Sequence, residues 1–399
     1  MIKKKNIALD LAYCIIAVGI MNLVLQLIVY PIINGRVGEA SFGNILYFIG
    51  VMNILSPAFG LALNNTRLVT PNRERTENYD YVKILSYFSL ASVVIVLLLS
   101  IFNNNFSVVD LVLFSIVIIL ALVRNYSSVE YRLSLNYKRQ MNFYLIISIG
   151  YLGGLGIWYV TRYWQFIFIL GEAAALFYIK ITGRVFNLSN KKTSIYFKEI
   201  FKSSTLLAAS YLLTYFMCNL DRFVLLKCVN SEAVSQYYVL SLLGKTIAII
   251  SGPINSIVIG YLTKDKRQIT KNIFLKCIFL MVSLGGLFWI ICSGITPIYI
   301  KILYPNLYTN VLQFNLLVNL AQILYFITNI LLVVVLTICS TKWQFWVQGI
   351  YAFFYLASSI FLSINFGLYG YVCSAVISNL IYFILAFVVG YKFAGRKIR

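Results

Sequence analysis

The sequence contains no histidine, and only 12 of its 399 residues are aspartate or glutamate. The first absence excludes Ser-His and Cys-His nucleophilic catalysis, histidine-ligated zinc or haem, and histidine proton relays. The second leaves no evident acid/base dyad, because most carboxylates, such as Glu74, Glu77, Asp80, Glu199 and Asp265, fall in loops or at the ends of apolar stretches. No glycine-rich phosphate loop of the Walker type is present, so the chain has no ATP-hydrolysing motif of its own. Its seven cysteines (Cys14, Cys218, Cys228, Cys277, Cys292, Cys339 and Cys373) form no CxxC pair and no metal-ligand spacing. They read as small hydrophobes. Neither an enzyme nor a cofactor protein is expected from this inventory.

What fills the chain instead is apolar. Hydrophobic residues make up 61% and charged residues 11%, with a mean hydropathy of +0.85; soluble domains carry about 25% charge. A chain so composed cannot cover itself with polar groups, so lipid must be its solvent, with roughly 20 apolar residues per crossing. Stretches of that kind lie at 8–34, 42–63, 81–102, 108–126, 141–160 and 165–182, then at 204–228, 237–260, 273–295, 311–338, 344–363 and 369–391. The expected fold is an all-α integral membrane protein of about twelve transmembrane helices. The connecting loops are short and leave no room for a catalytic domain outside the membrane. The most polar stretch, 183–203 with Asn187, Asn190, Lys191 and Lys192, divides the spans six and six. Two six-helix bundles, 1–190 and 191–399, around a central cavity are expected. An even number per half relates the halves by an axis along the membrane normal. A faint repeat agrees: Glu39-Ala40 and Glu232-Ala233, 193 residues apart, each precede the second span of their half.

Basic residues set the orientation, since they are retained on the cytoplasmic side. With Lys3, Lys4 and Lys5 inside, only Arg36, Arg162, Arg222, Lys227 and Lys301 fall on the outer side, and Lys180 and Lys245 fall within spans. Every other basic residue is then cytoplasmic, and both termini are expected in the cytoplasm. The net charge of +21 is thereby explained by topology and anionic lipid headgroups, not by nucleic acid. The N-terminal apolar segment is too long for a signal peptide and lacks a small-residue cleavage site, so it reads as an uncleaved anchor.

Charge inside a membrane costs about 2.5–3.5 kcal/mol per residue, so its position is informative. In the seventh span Tyr211, Tyr215, Asn219 and Arg222 fall within an arc of about 80° on a regular helix, with Asp221 beside the arginine, Lys227 further out and Lys245 in the eighth span. In the first span Asn22 and Gln26 make a similar polar pair, with Arg36 beyond it. Asn315, Asn319, Gln322 and Asn329 share a face of the tenth span. Asn and Gln pairs also serve as interhelical hydrogen-bond glue, and long basic side chains snorkel to headgroups. The functional reading is a wet cavity in which Arg36, Arg222, Lys227 and Lys245 outnumber Glu39 and Asp221 and attract an anion. Asn22, Gln26, Tyr211, Tyr215 and Asn219 would line it.

Here the residues resemble a known pattern. The run Gly35, Arg36, Val37, Gly38, Glu39, Ala40, Ser41, Phe42, Gly43 resembles the R-x-x-G-x-x-x-F/Y-G element of polysaccharide flippases. Asp221, Arg222, Phe223, Val224 and Leu225, followed by Ala233 to Tyr238, resemble that family's D-R-x-x-L…G-x-x-x-V-G-x-Y element. Asn365 to Gly370 resemble its turn before the last helix. Ser231 and Gln236 stand where the family has glycines, and no proline lies in 203–206. The chain is similar to the Wzx-type polysaccharide transporters, which share a superfamily with MATE exporters. That resemblance implies movement of undecaprenyl-diphosphate-linked oligosaccharide repeat units across the membrane by alternating access, for O-antigen or capsule assembly. Cationic residues would receive the diphosphate, and Asp221 is the carboxylate placed for proton or sodium coupling. Partners would be the lipid-linked oligosaccharide, membrane lipids, a polysaccharide polymerase and glycosyltransferases. A MATE-like exporter of small molecules, or a membrane polymerase or glycosyltransferase, are the alternatives.

Overall fold

In a computed structural model, residues 13, 16, 19–70, 75–101, 107–188, 192–264, 270–339 and 341–395 are described. Lys3, Lys4 and Lys5 and the start of the first span lie outside them. Among the described residues the regular structure is all helical: α1 (Gly19–Val37), α2 (Glu39–Val69), α3 (Asn78–Ile101), α4 (Val108–Leu133), α5 (Tyr137–Thr161) and α6 (Gln165–Thr182). Then come α7 (Phe197–Cys218), α8 (Leu220–Cys228), α9 (Ser231–Lys264), α10 (Lys271–Leu303), α11 (Asn315–Ile338) and α12 (Thr341–Phe393).

Among the described residues nine helices are long and apolar enough to cross a membrane. The last of these is two crossings joined at Gly367, where φ is 60° and ψ is −140°. Adding α7 with α8 as one crossing, and α9 as another, gives the twelve expected from hydropathy. These two passes carry the charged residues that matter below. The protein is a multi-pass membrane protein.

Helix ends follow local chemistry. Gly38 takes a left-handed φ of 80° between α1 and α2, a conformation that costs glycine nothing. Ser107 caps α4 by accepting from the Asp110 N–H, and Thr270 caps α10 through Ile273 N–H. Within α1, Leu25–Val29 winds as a π-helical turn.

The chain groups into two compact units, one running to Ile33 and resuming at Phe48–Asn219, the other made of Asn34–Tyr47 and Leu220–Arg399. These depart from the 1–190 and 191–399 halves in two places. The turn between α1 and α2 belongs to the second unit, and α7 belongs to the first.

In the first unit α6 packs on α4 and α5, and α3 on α4 and α7. Gly150, Gly154 and Gly171 let α5 and α6 meet backbone to backbone, since a Cβ at Gly154 would strike Ile167 and one at Gly150 would strike Gly171; small residues allow such approach in membranes. In the second unit α11 is central, packed on α9, α10 and α12. Its core gathers Cys292, Ile323, Phe326 and Ile327.

Candidate functional site

The second unit contains a charged cluster inside its helices. Asp221 and Arg222 open α8, and both are buried, at 5% and 6% exposure. Lys245 on α9 reaches Asp221, Nζ to Oδ2 at 2.7 Å, and lies 5.8 Å from the Tyr237 ring. Arg222 turns the other way. Its Nη1 donates to the Leu46 carbonyl at 3.0 Å, and its guanidinium lies 5.6 Å from the Tyr238 ring centre. The buried Arg222 Nε has no hydrogen-bond partner among the described residues. No carboxylate comes within ion-pair distance of Arg222 among them either. The cluster as a whole is therefore one cation in excess, and that excess sits on a fork with a free N–H, the geometry suited to phosphate or carboxylate oxygens.

The sequence places three of its candidates here, Asp221, Arg222 and Lys245, but pairs them differently. Lys245 was expected to hold an anion and Asp221 a coupling ion; the structure joins them to each other. Arg36 is half-buried, while Lys227 is exposed near the end of α8. Tyr211, Tyr215 and Asn219 belong to the first unit. Their shared face with Arg222 is interrupted, because α7 stops at Cys218 and Asn219 leaves the helical region at φ −113°, ψ 13°. The Asn219 amide turns back onto the Tyr215 carbonyl at 2.9 Å. Tyr211 and Tyr215 stand edge to face, 5.9 Å apart, and the Tyr211 hydroxyl accepts from Asn65 at 2.7 Å. Asn22 and Gln26 are half-buried in the first unit.

The polar face of α11 is interhelical glue. Asn315 donates to the Ser293 carbonyl, Asn319 to Thr296 and Gln322 to Tyr237.

One buried group escaped the sequence reading. Arg124 on α4 was assigned to a cytoplasmic loop, yet its Nε lies 2.5 Å from Glu172 Oε2 on α6, with side-chain exposures of 11% and 0%. Tyr151 on α5 donates to the other oxygen at 2.9 Å. The signal was present: Glu172 lies in the middle of the 165–182 apolar stretch. Near the cytoplasmic-assigned end of α2, Arg132 donates to Asn64 and Asn65, and Asn64 in turn donates to the Ser128 hydroxyl.

The sequence matches no protein-family model and no curated protein. Solved structures do match. The lipid II flippase MurJ, in an inward closed conformation, superposes with a TM-score of 0.69 at 15% identity, over 94% of this chain and 86% of its own. The chain shares the fold of that structure. An inward-facing multidrug-resistance MATE transporter of the MOP superfamily follows at TM-score 0.58 and 13% identity, over 93% of each chain. The Vibrio cholerae MATE transporter VcmN gives 0.57 and 13%, over 96% of this chain and 97% of its own. At such identities the likeness is one of fold.

Proposed function

We propose that the chain is a flippase of the MOP superfamily. It moves undecaprenyl-diphosphate-linked oligosaccharide repeat units across the bacterial cytoplasmic membrane for surface polysaccharide assembly, by alternating access of two six-helix halves. The observation that carries this reading is Arg222, a buried guanidinium without a carboxylate partner among the described residues and with an unsatisfied N–H. A cation kept at that cost inside a membrane protein is a functional group by default. The diphosphate supplies the oxygens it lacks. A neighbour of the same fold is named as a flippase of lipid II, which fits a lipid-linked cargo. On this reading both termini are cytoplasmic, the polymerase acts on the delivered repeat unit, and Arg36 and Lys227 guide the anion.

The MATE neighbours favour a second reading, export of small cationic molecules. That needs a carboxylate free to meet the cargo, whereas in the charged cluster Asp221 is held by Lys245.

The test is reconstitution into vesicles with lipid-linked oligosaccharide loaded in one leaflet. Sugar is expected to become accessible from the opposite side with the native protein, and not with an Arg222→Ala, Lys245→Ala double variant. Unchanged transport in the variant removes these residues from the site. Absence of transport by the native protein overturns the reading.

A further inference from the structure

The first unit contains a cavity of about 360 Å³ between the end of α2 and the first half of α7, lined by nine residues. Four carry hydroxyls (Thr66, Thr70, Ser203 and Ser210), one is Glu199, and the rest, Leu206 and Leu207 among them, are aliphatic. The volume lies near the lower end of ordinary small-ligand pockets, roughly 300–1,000 Å³. It suits a short saccharide.

The chemistry of the lining separates ligand classes. No lysine or arginine lines the cavity, and its one charge is negative, so a phosphate finds no counter-charge there. An acyl chain would cover Glu199 and the Ser203 and Ser210 hydroxyls without offering them a partner, at a cost for each. A sugar ring offers hydroxyls to hydroxyls, donates to a carboxylate from a vicinal pair, and lays its C–H face on leucine. The hydroxyls are prepared unequally. Thr66 and Thr70 donate to their own helix, at the Ala62 and Thr66 carbonyls, and so present lone pairs. Ser203 and Ser210 make no side-chain hydrogen bond among the described residues and can donate. Ser210 adjoins Tyr211, which Asn65 and Arg132 fix in place.

We propose that this cavity is a saccharide subsite, seating one ring of the lipid-linked glycan. The proposal rests on the flippase reading and adds a location for glycan selectivity. The probes are undecaprenyl diphosphate bearing a neutral disaccharide and the same lipid without sugar, with affinities measured for purified protein in detergent. The native protein is expected to prefer the glycosylated lipid. In a Ser203→Ala, Ser210→Ala variant the preference should fall by about two- to tenfold for each hydrogen bond lost. A preference unchanged in the variant, with both lipids bound, overturns the subsite and leaves the flippase reading intact. Failure of the native protein to bind either lipid overturns that reading and this one together. A second measurement avoids reliance on the double variant. The Ser210→Cys thiol should be protected from a charged maleimide by the glycosylated lipid and not by the bare one; equal protection by both counts against the subsite.

Discussion

The Lys245 ammonium and the Asp221 carboxylate form an ion pair of 2.7 Å in which the acid keeps 7% of its side-chain exposure and the base 31%. The asymmetry matters, because the acid depends on its partner more than the base does. Lys245→Met is therefore expected to destabilise the protein more than Asp221→Asn. Losses of about 2 kcal/mol are expected, below the 3–5 kcal/mol of a fully buried pair because the ammonium remains partly hydrated. A double-mutant cycle followed by thermal unfolding in detergent checks this. The paired replacement should recover most of the loss.

Arg124 and Glu172 are buried more completely. Glu172→Gln should cost about 3–5 kcal/mol by stranding a buried guanidinium. Tyr151→Phe, which removes one hydrogen bond to the same carboxylate, should cost about 1–2 kcal/mol. Equal effects of the two in the same unfolding assay would remove the ion pair as the principal stabilising contact.

A Cβ at Gly43 would run into the Ser231 carbonyl, which belongs to backbone and has little room to shift. Gly43→Ala should therefore lower stability by about 1–3 kcal/mol or more. Gly286→Ala, at a helix position with open space around it, should be neutral. Comparison of the two by fluorescence-detected size-exclusion after heating is a direct readout.

Arg222→Met removes the side-chain donor to the Leu46 carbonyl and the cation that has no carboxylate partner among the described residues. Stability is expected to change by about 1 kcal/mol, while transport of a diphosphate-linked glycan in vesicles falls at least about tenfold. Transport that follows stability alone would assign Arg222 a structural role.

Much of the fold was legible because spans are a one-dimensional property: each crossing must be apolar along its own length. The matched pair Glu39 and Glu232 was also readable. The structure puts their helix starts in contact within the second unit, where Ser235 donates to the Glu39 carbonyl. Pairing of charges was not legible. Lys245 stands 24 positions from Asp221 and Glu172 stands 48 from Arg124, and which helix faces which is decided by packing. Residue spacing also failed at Asn219, because a regular wheel presumes a helix that the backbone interrupts there. The cavity between α2 and α7 left no motif at all, being built from threonines and serines unremarkable on either helix.

The π-helical turn at Leu25–Val29 has a bearing on how this protein is compared with its relatives. Such a turn accommodates one residue more than an α-helical turn, so everything from Tyr30 onward on α1 is rotated by about 100° from where regular winding would put it. A relative lacking that extra residue would present a different side of its first helix at the same sequence position. Against such a relative, residue equivalences carried past Val29, Arg36 included, need a one-place slip, and a single deletion within 25–29 would re-aim the C-terminal end of α1 without shortening it by more than a fraction of a turn.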